Sequence, residues 1–308
     1  MDNVYPSNPN SVTRAQTSAA DVLIRMTRSA RAEERIQGLL GLVQLSPIER
    51  LDVIVSALCD SDARVRDVAA ASVSALDPEQ ACERILTILT AGAPRMKAGV
   101  DAALAHLPPS LETEMLATLE SAERTVELRC AAAYCLGRMD SRDAASALVK
   151  LARDNGPPLC VACANALVEI NDPAAERAFE AWLRHPNGDM RIAAARGVAR
   201  IGGPRTVALL SQVALFPTET DQRVRREAVA LLGMLGDPAA IPPLIQAMKR
   251  YLSVRRHAAI ALQRLTKQDF GPEPALWEQW YSKEQSRKTG VPPEPGYRPP
   301  QVAFEYLQ

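Results

Sequence analysis

The sequence predicts an all-α protein, an α-solenoid of about eight helical hairpins in tandem with a period of about 31 residues. Three observations support this prediction. One apolar helical pattern recurs at nearly constant spacing, and a second apolar helical stretch precedes most of its copies. Alanine supplies 50 of the 308 residues and aromatic residues only 4%. Such a composition suits closely packed helices.

The recurring pattern is clearest in residues 224–235, VRREAVALLGML. Aliphatic residues stand at its first position and at offsets 4, 8 and 11, and a basic residue stands at offset 1. The four aliphatic offsets share one face of an α-helix, so each copy predicts a helix with that face buried. Copies begin at residues 34, 65, 96, 128, 159, 190, 224 and 254, the first being the weakest. The spacing is nearly constant, and the step from 190 to 224 is the longest.

A second apolar helical stretch before most copies completes a hairpin. Six of these stretches open with proline, at residues 47–59, 78–90, 109–119, 173–183, 204–214 and 238–248. Proline suits the first turn of a helix, where its missing N–H would have no partner in any case. Asp77, Asp172 and Asp237 directly precede three of the prolines and are placed to cap free N–H groups. The repeating unit is therefore predicted to be helix–turn–helix.

The run from Val224 to Pro238 reads aliphatic-Arg-x-x-Ala-x-x-Ala-Leu-Gly-x-Leu-Gly-Asp-Pro. It resembles the HEAT repeat, in the short form first associated with phycobilisome lyases, and the resemblance covers about residues 18–265. The resemblance implies that the basic residue at offset 1 pairs with an acidic residue nearby or in the next repeat. Asp62, Asp189 and Asp221 lie just upstream of three such residues. The expected inter-repeat ladder comprises Arg66, Arg129, Arg191, Arg225 and Arg255.

The chain ends differ from the predicted array of residues 18–265. Residues 1–17 are polar without periodicity and are expected to be disordered. Residues 266–285 contain Trp277 and Trp280 and predict a short aromatic helix that caps the open apolar face of the last repeat. Residues 286–308 are rich in proline, end in the apolar run VAFEYL, and predict an extended tail.

Charge and hydropathy limit the function classes. The chain has 36 basic and 36 acidic residues, which argues against a general polyanion binder. No apolar run approaches the length that a membrane-spanning helix needs, and the start has no signal-peptide pattern. The expected location is therefore the cytoplasm, without a membrane partner. Six cysteines are too few for a disulfide scaffold and are expected to be free thiols.

The search for catalytic or metal-binding residues gives none, and neither a cofactor nor an enzymatic activity is predicted. The three histidines, His106, His185 and His257, lie in different repeats and none precedes a Glu. This argues against the HEAT enzyme that hydroxylates deoxyhypusine, which uses repeated His-Glu pairs. Cys160 and Cys163 form a C-x-x-C pair, but Cys163 occupies a core position of the pattern. Buried small hydrophobic residues are therefore favoured over a zinc or redox site.

Offsets 2, 6 and 10 of each copy point away from the buried face, and the resemblance implies that this helix lines the concave side of the array. Arginine collects there in the later repeats, and residues 190–267 contain 13 Lys and Arg against 4 Asp and Glu. The predicted partner-binding residues are Tyr134, Arg138, Asn165, Arg196, Arg200, Arg226, Arg256 and Arg264.

The sequence thus predicts a monomeric, non-enzymatic protein-interaction scaffold or regulatory adaptor that binds an acidic protein segment on this face. One alternative is an accessory subunit of a bilin-lyase-like system for chromophore attachment. A less favoured one is a HEAT-like nucleic-acid binder, which the zero net charge disfavours.

Overall fold

The computed structural model describes residues 19–43 and 47–289. The expected disordered start and most of the expected tail lie outside these residues. The regular structure of the described ranges is helical, with no strand. The chain forms two compact units, Met1–Ile170 and Asn171–Gln308.

In the described residues of the first unit, ten α-helices alternate as the first and second members of five hairpins. They are α1 (19–26), α2 (Ala32–Leu42), α3 (Pro47–Ala57), α4 (Ala63–Val73), α5 (Pro78–Ala91), α6 (Pro94–Ala103), α7 (Ser110–Glu120), α8 (Val126–Arg138), α9 (Ala145–Asp154) and α10 (Leu159–Ile170). Second-member helices of neighbouring hairpins pack together, as α8 does on α10.

Up to residue 289, where the described part of the chain ends, the second unit forms three hairpins and one further helix. Its helices are α11 (Glu176–Trp182), α12 (Gly188–Ile201), α13 (Thr206–Leu215), α14 (Gln222–Met234), α15 (Ile241–Arg250), α16 (Arg255–Thr266) and α17 (Pro274–Thr289). Helix α12 packs on α14, which packs on α16, whereas α13 packs on α15, which packs on α17. In this unit the second-member helices therefore form one row, and the first-member helices with α17 form another.

The predicted helical register is confirmed. In α14 the side chains at offsets 0, 4 and 8, Val224, Ala228 and Leu232, are fully buried. The same offsets are buried in α4, α10 and the hairpin that contains α16. These apolar faces hold each hairpin against its neighbours, because a single hairpin has no other surface on which to bury them.

Aspartates cap the first-member helices as predicted. The carboxylate of Asp77 accepts a hydrogen bond from the Gln80 backbone N–H at 3.0 Å. Asp172 and Asp237 accept in the same way from the residue two positions on, each at 2.8 Å. After these last two caps the first turn is a 3-10 turn, so α11 and α15 begin three residues later than the proline positions suggest.

A glycine of the repeat motif allows neighbouring second-member helices to approach closely. At Gly233 of α14, an added Cβ would lie 2.5 Å from the Cβ of Ala261 in α16. At Gly137 of α8, it would lie 2.8 Å from the Cα of Ala166 in α10. The absence of a side chain is therefore a packing requirement at both positions.

Helix α17 covers the last hairpin. Its Trp277 is fully buried, stands edge-on to Phe270 with ring centroids 4.9 Å apart, and donates its indole N–H to the Gly271 carbonyl at 2.8 Å. Residues 286–289, which the sequence placed in the tail, continue this helix to Thr289. None of the helices in the described ranges is both long and apolar enough to cross a membrane.

Candidate protein-binding surface

The basic residues at offset 1 donate hydrogen bonds to main-chain carbonyls of their own hairpins. Arg129 donates its Nε–H to the Leu119 carbonyl at 2.9 Å, and Arg255 donates to the Met248 carbonyl at 3.1 Å. Arg66 donates to the carbonyls of Asp60 and Ser61 at 2.8 and 3.2 Å. These arginines satisfy carbonyl groups at the end of the preceding helix and in the following turn, which have no partner within that helix.

Arg225 is the most enclosed of these residues, with only 5% of its surface exposed. It donates to the carbonyls of Ala214, Phe216 and Glu219 at 3.2, 2.9 and 3.1 Å. Its guanidinium also lies 3.8 Å from the centre of the Tyr251 ring. The acidic partner expected for Arg66, Arg129, Arg225 and Arg255 is thus replaced by main-chain carbonyls, because the side chain turns back toward its own hairpin.

Ion pairs between neighbouring hairpins do exist. Arg191 forms a two-pronged pair with Glu219 at 2.7 and 2.8 Å, and Arg35 forms a similar pair with Asp60 at 2.8 Å. Both pairs are largely shielded from solvent, which favours charge-assisted hydrogen bonds.

The aspartates Asp62, Asp189 and Asp221 pair with a different set of arginines. Arg223 bridges Asp189 and Asp221 at 2.9 and 2.8 Å. Arg64 bridges Asp62 and Glu33 at 2.9 and 3.1 Å, and its hydrogen bond lowers the pKa of Asp62 to about 2. The sequence analysis missed both arginines, although each stands one position before a copy of the pattern and two after a capping aspartate.

In the first unit, the predicted binding residues Tyr134, Arg138 and Asn165 are exposed on α8 and α10. The Tyr134 hydroxyl donates to the carboxylate of Asp101, and burial together with this contact raises the tyrosine pKa to about 12. Arg138 lies 3.2 Å from the same carboxylate. Asp101 thus offsets the positive charge of Arg138.

In the second unit, the predicted residues Arg196, Arg200, Arg226, Arg256 and Arg264 are exposed on α12, α14 and α16. Arg196 is not an uncompensated charge, since it pairs with Glu227 at 2.7 Å. No carboxylate of the described residues lies within ion-pair distance of Arg226, Arg256 or Arg264. These three arginines carry the positive charge of this face.

Two exposed apolar side chains share the face with these arginines. Met234 of α14 is 55% exposed and Ile260 of α16 is 65% exposed. We call the surface formed by Arg226, Met234, Arg256, Ile260 and Arg264 the basic surface. The predicted binding residues did not include Met234 and Ile260. The signal that could have identified them is a large apolar residue at offset 10 or 6, which points away from the buried face.

The cysteines are dispersed in the helix packing of the first unit. Cys82, Cys135, Cys160 and Cys163 are buried, whereas Cys59 and Cys130 are partly exposed. Burial raises the pKa of the Cys163 thiol to about 12 and that of Cys82 to about 11. In the described part of the chain, no group of three His, Cys, Asp or Glu side chains is arranged to hold a metal ion.

We expect the thiols to react with an aromatic disulfide reagent at mildly alkaline pH in two classes. Cys59 and Cys130 should react first, and the four buried thiols only after urea is added, because a protonated and enclosed thiol is a poor nucleophile. Mass spectrometry of the labelled peptides would assign the classes. Rapid labelling of Cys160 and Cys163 in the native protein would contradict the assignment of both as core residues.

The helical hairpins and their packing define an α-solenoid of tandem repeats. The family model for HEAT repeats matches residues 113–187 and 176–263. The chain is a HEAT-repeat protein.

No curated protein sequence matches the chain. Among solved structures it is similar to YibA of Escherichia coli, at 15% identity over 87% of this chain and all of that one, with a TM-score of 0.42. It is similar to human deoxyhypusine hydroxylase in complex with glycerol, at 15% identity over 85% and 100% of the two chains and a TM-score of 0.36. It is also similar to the CpcE–CpcF complex of phycocyanin lyase from Nostoc, at 21% identity over 86% and 90% and a TM-score of 0.36.

Proposed function

We propose that the protein is a non-enzymatic interaction scaffold whose basic surface binds an acidic segment of a partner protein. The observation that carries this proposal is the combination of three arginines without carboxylate partners and two exposed apolar side chains on neighbouring helices. HEAT repeats form helical scaffolds for protein interaction, and their repeated hairpins present long rows of side chains to a partner.

The arginines supply the orientation and charge selectivity of the proposed contact. A guanidinium group forms two parallel hydrogen bonds with a carboxylate, and arginine is enriched at protein interfaces. Residues 190–267 contain nine more basic than acidic residues. The resulting local potential favours the approach of an acidic segment, although the whole chain has no net charge.

Met234 and Ile260 supply the apolar part of the contact. Together with Arg226, Arg256 and Arg264, they fit a segment in which an apolar side chain is flanked by Asp or Glu. Burial of an exposed aliphatic side chain contributes about 1.5–3 kcal/mol before the entropy of association is subtracted. The partner chemistry is therefore acidic and amphipathic rather than uniformly anionic.

The test compares charge reversal on the basic surface with charge reversal elsewhere. Arg256→Glu with Arg264→Glu should weaken binding of acidic peptides that carry one Leu or Met by at least about tenfold, because it converts attraction into repulsion. The melting temperature should stay within about 2 °C, since exposed charges contribute little to folding. Fluorescence anisotropy on a peptide library would measure binding, and thermal denaturation would measure stability.

The matched control is Lys150→Glu with Arg153→Glu, which changes the net charge equally on exposed positions of α9. It should leave peptide binding unchanged. Equal weakening in both variants, or unchanged binding in the first, would refute the basic surface as the site. Steeply salt-dependent binding of a short DNA duplex, lost in the first variant alone, would instead favour a nucleic-acid partner.

A further inference from the structure

The second unit has a cleft on the other row of helices, between α11 and α13. Its volume is about 610 Å³, and α13 lines it with one face, from Arg205 through Leu209 and Val213 to Phe216. Opposite lie Glu180 and Arg184, at the end of α11 and just beyond it. The cleft does not include any residue of the basic surface.

Two local features open this cleft. Helix α11 is short, Glu176–Trp182, and the residues just beyond its end, Leu183 and Arg184, line the cleft. The step between the copies that begin at residues 190 and 224 is longer than the other steps, and residues 216–221 connect α13 to α14 beside the cleft. The longer connection forms part of its wall, through Phe216, Thr218, Glu219 and Thr220.

Hydrogen bonds fix this wall in place. Glu219 pairs with Arg191, whose Nη1 donates to the carbonyls of His185 and Pro186 at 2.7 and 2.9 Å. Arg225 donates hydrogen bonds to the carbonyls of Phe216 and Glu219. A preformed wall lowers the entropy lost when a ligand binds.

The cleft combines apolar side chains with charged groups at its edge. Leu183, Leu209, Val213 and Phe216 contribute apolar surface, and Phe216 is 39% exposed. Arg205 pairs with Glu180 at the rim. Arg184 lies among the same lining residues. Such a cleft fits a short peptide with aromatic or aliphatic residues and a carboxylate beside the arginines.

We propose that the occupant is the apolar run of this chain's own C-terminal segment, residues 302–307, VAFEYL. This run contains Phe304, Tyr306 and Leu307 around one acidic residue, Glu305. It therefore has both kinds of side chain that the cleft accepts. Bound there, Phe304 or Tyr306 would cover Phe216, and Glu305 would face the arginine-bearing rim.

The connecting chain is long enough for this contact. Residues 290–301 separate the end of α17 from the run, and their contour spans up to about 40 Å. Helix α17 packs on α15 and α15 on α13, and packed helices lie about 10 Å apart. The covalent link also gives the run a high effective concentration at the cleft, so even a weak intrinsic affinity fills it.

The test is photo-crosslinking in the full chain with p-benzoylphenylalanine in place of Tyr306. Intramolecular cross-links to residues 180–184 or 209–216, mapped by mass spectrometry in the monomer fraction, are the expected result. The same probe at Tyr297, outside the apolar run, should give at least about fivefold fewer of them. Cross-links confined to other residues, to a second copy of the chain, or absent altogether would overturn the proposal.

A pair of cleft variants makes the result specific. In the Tyr306 probe background, Leu209→Glu with Phe216→Glu should reduce the intramolecular cross-link at least about tenfold. Leu252→Glu, at an apolar side chain that is 76% exposed outside the cleft, should leave it unchanged. Circular dichroism would establish that each variant is folded. If it shows the cleft variant unfolded, Phe216→Ala replaces that variant, and an undiminished cross-link in a folded cleft variant would refute the contact.

Discussion

Replacing Leu232 by Asp should destabilise the second unit by about 3–5 kcal/mol. Leu232 is fully buried in the last turn of α14, which packs on α12, α13 and α16. A carboxylate at this point would lack water and any cation to pair with, and an uncompensated buried charge costs several kcal/mol. Urea unfolding followed by circular dichroism would measure the loss as a midpoint lower by more than about 1 M.

The same substitution at Leu252 is the control, because that side chain is 76% exposed. Leu252→Asp should shift the urea midpoint by only a small fraction of the Leu232→Asp effect. Equal midpoints for Leu232→Asp and the unsubstituted protein would mean that the helical register is incorrect.

Arg225→Ala should cost about 3 kcal/mol, whereas Arg226→Ala should be nearly neutral. The two arginines are adjacent in sequence and carry the same charge, yet their environments are opposite. Arg225 is buried, serves three carbonyls and stacks on Tyr251. Its removal would leave the carbonyls of Ala214 and Glu219 without the donor that Arg225 supplies, each at a cost of about 1 kcal/mol or more. The Phe216 carbonyl would keep the Glu219 backbone N–H as its donor, and the contact with the Tyr251 ring would be lost. Arg226 is exposed and donates to the carbonyl of Gln222 in its own helix.

Differential scanning calorimetry on both variants would separate the two roles. A large loss of stability is expected for Arg225→Ala, and a change within about 0.5 kcal/mol for Arg226→Ala, as is usual for a surface substitution. Peptide binding should be weakened by Arg226→Ala and left nearly unchanged by Arg225→Ala. The Arg225 variant is measured at a temperature where it is folded. Similar melting temperatures for the two variants would contradict the structural role assigned to Arg225.

The fold could be predicted from the sequence because its determinants are local and repeated. The offsets 0, 4, 8 and 11 specify which face of each second-member helix is buried, and the recurrence of that pattern at nearly constant spacing specifies the hairpins. The first turns were less predictable, since the prolines at 173 and 238 open 3-10 turns before α11 and α15.

The contacts of the arginines were less predictable from sequence than their directions. Offset 1 places Arg129 and Arg225 at the edge of the packed face. The spacing of the pattern alone does not show whether such an arginine donates to a main-chain carbonyl or to a carboxylate. Likewise, the sequence pattern suggests no acidic neighbour for Arg196, yet Glu227 of the next hairpin pairs with it. Such pairs depend on the distance between hairpins, which a one-helix pattern does not contain.

The cleft was not predictable from the pattern, although its cause was visible. The longer step after the copy at residue 190 can be read from the sequence, but the position of the additional residues depends on where the shortened α11 ends. Loop length and helix length act together here, and only coordinates show whether their combination produces a cleft or a closed surface.

Basic residues at offset 1 donate hydrogen bonds within their own hairpins, and this affects how the number of repeats can change during evolution. Lys97, Arg129 and Arg255 each donate to a carbonyl of the helix that precedes them in the same hairpin. A duplicated hairpin would therefore bring its own donor and acceptors, and a deleted one would remove both together. Recombination between equivalent positions of two such repeats would keep each of these carbonyls with its donor, which lowers the cost in stability of a change in repeat number.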